Sequence, residues 1–226
     1  MALFDERQGP LPYFLIAFTL VTGMVDALSF LRLDEVFVAN MTGNIVMLGF
    51  DLGGMKGISA LLHLTALAAF ILGAAAGARL AAAFGAHRGR LVALLATAKI
   101  ILGGCTLAVA LCAPNRYALI ALLALSMGLQ NAVVRRLGFP DLTTTVLTGT
   151  ITALSGDFAM GAGMTRQQGQ RILSALLLLT GAAAGALLLN MAGVVAVISA
   201  NLALLVFIAV GAYRSWSSQA AWTALV

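Results

Sequence analysis

Between Ile172 and Tyr213 the chain runs 42 residues without one acidic or basic side chain. A bilayer core of about 30 Å is crossed by about 20 apolar residues in helical conformation. The stretch therefore reads as two membrane spans, with a turn near Asn190–Gly193. Two further uncharged runs, Gly57 to Ala78 and Tyr117 to Val134, are each long enough for one span. Leu11–Leu31 is interrupted only by Asp26, and Leu91–Ala113 only by Lys99. Six spans follow. Composition agrees: charged residues make up 9% of the chain and hydrophobic residues 62%, against about 25% charged in soluble domains. No cleavable signal is expected, because Met1 to Pro10 is mixed in charge and the apolar run after it is too long for a signal core.

The second constraint is an internal duplication. Thr22-Gly23-Met24-Val25-Asp26-Ala27 is echoed 105 residues later by Met127-Gly128-Leu129-Gln130-Asn131-Ala132. Met41-Thr42-Gly43-Asn44-Ile45 is echoed 106 residues later by Leu147-Thr148-Gly149-Thr150-Ile151. Gly73-Ala74-Ala75-Ala76-Gly77 is echoed 108 residues later by Gly181-Ala182-Ala183-Ala184-Gly185. The chain is thus one membrane domain over 1–226 with repeats at about 11–113 and 117–213. Each repeat holds four apolar segments: about 11–33, 36–52, 58–84 and 90–113 in the first, about 117–138, 142–163, 170–189 and 194–213 in the second.

The second segment of each repeat is the odd one. Val36–Phe50 and Leu142–Gly156 are each 15 residues long before an aspartate. As a helix that is about 22 Å, short of the hydrocarbon thickness. If both segments dip in and return, nine arginines lie on one side and three basic residues (Arg32, Lys56 and Arg116) on the other, with Lys99 inside a span. If both cross, the split is six against six. The excess of Lys and Arg on cytoplasmic faces favours the first arrangement. It gives three spans per repeat, and an odd number of spans inverts the second copy relative to the first. Full crossing stays open at this stage. The expected fold is all-α: two inverted repeats of three transmembrane helices, each with an extra short re-entrant or broken segment. Both termini are expected in the cytoplasm.

The stretches V-T-G-M-V-D-A-L-S-F and V-A-N-M-T-G-N, followed by G-L-Q-N-A and T-T-V-L-T-G-T, resemble the YoaK-type bacterial membrane proteins catalogued as domain of unknown function 1275. The resemblance covers nearly the whole chain. It implies a multi-pass protein of the bacterial inner membrane and no particular substrate.

Polar groups inside the spans are the functional candidates, because each is costly there. Asp26 is the costliest, at about 2.5–3.5 kcal/mol for a carboxylate at a helix centre. Asn131 holds its place in the second repeat, beside Gln130. Lys99 lies nine residues from Arg90, about 14 Å into its span, and is expected to reach Asp26. Its counterpart in the copy falls near Phe207. Asn40, Thr42, Asn44, Thr148 and Thr150 flank glycines in the short segments, where they can cap broken helix ends or meet a solute. Gly73, Gly77, Gly181 and Gly185 are spaced for close helix packing.

These residues point to a transporter or channel for a small solute, its pathway between the repeats and a proton as a candidate coupling ion through Asp26. The alternatives are an assembly protein without a pathway and, less well supported, an intramembrane enzyme. No catalytic residues, metal ligands or cofactor are expected. His63 and His87 are the only histidines and neither sits in a ligand-spaced cluster, and Cys105 and Cys112 read as buried thiols. The expected partners are the bilayer and a small molecule or ion, with a homodimer allowed and no nucleic acid, since no basic run is interleaved with aromatics.

Overall fold

The computed structural model describes residues 8–84, 86–138, 152, 155 and 165–224, with residue 167 described in its backbone alone. The described residues form six α-helices: α1 (Leu11–Arg32), α2 (Met41–Leu52), α3 (Ala60–Phe84), α4 (Arg88–Cys112), α5 (Arg116–Arg136) and α6 (Arg166–Arg214). A 3-10 turn at Ala221–Thr223 follows. No strand occurs among them. The segment 142–163, with Thr148 and Thr150, lies outside the described residues except at Thr152 and Ser155.

Local chemistry sets the helix starts. Pro12 sits in the first turn of α1, where its missing N–H costs nothing. Asn115 Oδ1 accepts the backbone N–H of Ala118 at 3.1 Å to cap α5. Thr165 and Gln168 form a reciprocal capping box at the start of α6, which satisfies two otherwise unpaired donors.

Five helices are long and apolar enough to cross a membrane, α2 being the exception. The 49 residues of α6 would extend about 74 Å as a straight helix. The helix breaks at Gly193, where φ is 80° and ψ is −174°. Such a backbone strongly favours glycine. The two limbs, 166–192 and 194–214, each have the length of a span. The bundle's outer surface is apolar: Met191 is 83% exposed, Phe207 75% and Leu179 65%. A lipid environment accommodates such a surface, which in water would be an aggregation liability. Cys105 and Cys112 are exposed on this surface rather than buried.

Two apolar clusters divide the bundle along its length. One gathers the starts of α1 and α4 (Leu11, Leu91) with the ends of α3, α5 and α6 (Ala81, Leu137, Ala212). The other gathers the end of α1 (Leu28), the starts of α3 and α5 (Leu62, Leu119), and Leu189 and Val197 on either side of Gly193.

The closest helix contacts are made at glycines, and they occur twice. A Cβ placed on Gly23 of α1 would strike the backbone of Leu178 and Ala182 in α6. One placed on Gly128 of α5 would strike Phe70 and Ala74 of α3. Gly181 lies on Leu20 and Gly185 on Met24, while Gly73 lies on Leu125 and Gly77 on Leu129. Each contact maps onto its counterpart by the sequence offsets of 105 and 108. The first helix of each repeat therefore packs on the third segment of the other repeat, backbone to backbone.

The short segment Val36–Phe50, expected to be re-entrant or broken, is helical only in its second part. Residues 33–40 are non-helical, and helix begins only at Met41. Asp34 and Glu35 adopt positive φ of 59° and 58°, uncommon for residues with a Cβ. They reverse the chain after α1. Val36 and Val38 beyond them are fully buried. The 12 residues of α2 extend about 18 Å.

Candidate functional site

The reversed segment, residues 33–40, forms a strap that returns along α1. Asp26 Oδ1 accepts the backbone N–H of Val38 at 3.3 Å and of Ala39 at 3.0 Å. Asn44 of α2 clamps the same strap from the other side. Its Oδ1 accepts the N–H of Phe37 at 3.0 Å, and its Nδ2 donates to the carbonyl of Phe37 at 2.6 Å. His63 Nδ1 lies 3.1 Å from Asn44 Oδ1. That oxygen already accepts from Phe37, so His63 Nδ1 carries the hydrogen in this bond. Phe37 packs on Phe30 with ring centroids 4.8 Å apart. The polar groups of this region thus satisfy the backbone that helix would otherwise have satisfied.

Lys99 does not reach Asp26. Successive residues on a helix point about 100° apart, and Asp26 faces the strap while its neighbour Val25 faces α4. Lys99 is 2% exposed. Its ammonium contacts Met127 Sδ at 3.5 Å, a weak acceptor. It borders a cavity of about 30 Å³ between α1, α4, α5 and the second limb of α6. Val21 and Val25, Thr106, Ser126 and Asn201 share that wall. Asn201 Oδ1 is buried without a hydrogen-bond partner. Phe207, the expected counterpart of Lys99, points away from the bundle and is 75% exposed. The polar residue that α6 contributes to the cavity lining is Asn201 instead.

A third polar contact joins α1 to α5. Gln130, fully buried, donates from Nε2 to Thr22 Oγ1 at 2.9 Å. Its Oε1 is buried without a partner. Asn131 is half-buried on α5. Asn40 and Thr42 are exposed, and Asn40 makes no side-chain cap on α2. The sequence candidates therefore divide. Asp26 and Asn44 hold the strap, Lys99 borders the cavity, Gln130 bonds α1 to α5, and Asn40 and Thr42 lie outside both groups. Sequence patterning does not single out His63, Ser126 or Asn201. A lone buried His and an Asn in an apolar helix carry no spacing signature by themselves.

The sequence profile described as "Protein of unknown function (DUF1275)" matches residues 14–211. The chain belongs to the DUF1275 family. A relative within reach of this DUF1275 chain is the UPF0700 transmembrane protein YoaK of Bacillus subtilis (strain 168), 35% identical over 146 residues. The match covers 62% of this chain and 64% of the relative's length. No solved structure matches it. With its apolar helices and this transmembrane relative, the DUF1275 chain is a multi-pass membrane protein.

Proposed function

We propose that this protein moves a small solute across the membrane through a pathway between its two repeats, centred on the cavity beside Lys99. The observation that carries this reading is the partner exchange at the glycine contacts. It leaves α1 and α5, the first helices of the two repeats, facing a common small cavity with α4 and the second limb of α6. A cavity at the repeat interface is where such folds hold their solutes.

Helix direction supports an inverted arrangement. α1 starts in the cluster where α5 ends, and α5 starts in the cluster where α1 ends. The end of α1 and the start of α3 share one cluster, which favours a strap and α2 that enter and return without crossing. Charge favours the orientation. Arg79, Arg88, Arg90, Arg135, Arg136, Arg166, Arg171 and Arg214 belong to the first-cluster end, against Arg32, Lys56 and Arg116 at the other. That end is the cytoplasmic one by the positive-inside rule, in the inner membrane of a bacterium. There Arg90 Nε donates to the carbonyl of Trp216 at 3.1 Å, and His87 Nε2 lies 2.8 Å from the carbonyl of Ser218. The C-terminal segment is thereby fastened to the start of α4.

Single cysteines at Ala86 and Ser217, in a background lacking Cys105 and Cys112, should both react with an impermeant thiol reagent from the cytoplasmic side only. Cysteines replacing Arg32 and Lys56 should react only from the opposite side. Opposite-side labelling of Arg32→Cys and Lys56→Cys would show that α2 crosses and that the repeats are parallel.

The pathway is tested without knowing the solute. Ser126 lines the cavity and is 9% exposed. A protein that alternates its access should let Ser126→Cys react slowly from each side of the membrane in turn. An assembly protein without a pathway would leave Ser126→Cys unmodified from both sides at times when Ala86→Cys has reacted fully.

A further inference from the structure

The cavity beside Lys99 presents an ammonium with three donors, 2% exposed and with no carboxylate among the described lining residues. Its one hydrogen-bond contact is a thioether sulfur. A buried ammonium without a counter-charge is strongly disfavoured in a low-dielectric interior. The Asn201 amide, which lines the same cavity, has a buried oxygen with no partner, and the residue is 7% exposed. Rotation of that amide presents either an acceptor or two donors. The Ser126 hydroxyl borders the same space. The polar groups among the described lining residues are thus mainly donors, and the one formal charge among them is positive.

From this juxtaposition we propose that the cavity is the binding site of a small monovalent anion, with Lys99 as counter-charge and with Asn201 and Ser126 completing its shell. The proposal rests on the transport reading only in taking this anion to be the transported solute. Size sets the class. A water needs about 10–15 Å³ of such volume, so the 30 Å³ present holds about two water-sized groups. A halide, formate or nitrate fits that space, whereas a sugar acid does not. The apolar remainder of the wall, Val21, Val25 and Leu205, favours a weakly hydrated anion over a divalent oxyanion. Thr106 donates its hydroxyl hydrogen to the carbonyl of Leu102 at 2.8 Å, so it supplies no donor to the cavity.

The test is thermal unfolding of the purified full chain in lipid nanodiscs. Sodium chloride, nitrate and formate are compared with sodium gluconate at constant ionic strength. An anion that binds only the folded protein raises Tm with concentration. At least one small salt should raise Tm in a saturable way relative to gluconate. Lys99→Met should remove that response, and Asn201→Leu should weaken the apparent affinity at least tenfold. Asn201→Asp places a carboxylate in the lining of the cavity that Lys99 borders. This variant should fold and show no response, because the counter-charge is then internal. Equal Tm in all four salts would overturn the proposal, as would an undiminished response in Lys99→Met or Asn201→Asp. If anion binding is absent while Ser126→Cys still labels from both sides, the pathway stands and its solute is not an anion. If binding is present without two-sided labelling, the anion site stands and transport fails.

Discussion

Gly73→Ala and Gly128→Ala should each destabilise the folded bundle by at least about 1–3 kcal/mol, the range of overpacked cores. The new methyl would lie closer to the backbone of Leu125 or Phe70 than real Cβ atoms come to any neighbour. Backbone cannot rotate out of the way as a side chain can, so α3 and α5 would have to separate along their seam. Separation forfeits dispersion contacts over the whole line of small residues. Because Gly181 meets Leu20 as Gly73 meets Leu125, Gly181→Ala should be harmed to a similar degree in the other repeat. Gly104 is the control. A Cβ there meets nothing within 4 Å, and alanine is favoured over glycine in helix by about 1 kcal/mol. Gly104→Ala should therefore be neutral or slightly stabilised. Thermal unfolding and the monodisperse yield of each variant decide the matter. If Gly73→Ala were as stable as Gly104→Ala, the close seam would be wrong.

The spans were legible because a charge-free run of sufficient length has few alternatives. The turn between the last two was legible from Asn190–Gly193, and the break falls at Gly193. What sequence did not show is which helix each small-residue stripe meets, since spacing fixes a face and not a partner. The non-helical strap was hidden for a related reason. Val36 to Phe50 carries no charged side chain, and the group that satisfies the N–H donors of Val38 and Ala39 lies in another helix, 12 and 13 residues earlier. Charge and depth alone pair Lys99 with Asp26. Rotation about α1 defeats that pairing, because the face toward α4 is that of Val21 and Val25. Asn201 and His63 carry meaning only through neighbours distant in sequence, and Cys105 and Cys112 show that an apolar helix conceals which of its faces meets lipid.

The separation of Asp26 from Lys99 changes what substitution at Asp26 should do. A leucine there removes the acceptor of two backbone donors, Val38 N–H and Ala39 N–H. Each buried donor left unsatisfied costs about 1–3 kcal/mol, so Asp26→Leu should loosen the strap. A cysteine at Val38, fully buried in the intact protein, should then become reactive to thiol reagents. Asparagine keeps a carbonyl oxygen where Oδ1 stands and removes only the charge. Asp26→Asn should therefore leave Val38→Cys protected and stability within about 1 kcal/mol, because the neutral bonds replace charge-assisted ones at modest loss. If the carboxylate also takes part in coupling, Asp26→Asn should abolish the second half of the Ser126→Cys labelling cycle while the fold stays intact. Labelling from both sides at the wild-type rate would reduce Asp26 to the anchor of the strap. Combination with Lys99→Met separates these roles from an ion pair. Groups without a shared contact contribute additively to stability, so the double variant should show the sum of the two single effects. A rescue of Asp26→Asn by Lys99→Met would mean that the two charges meet in a state of the protein other than this one, and would return Asp26 to the cavity.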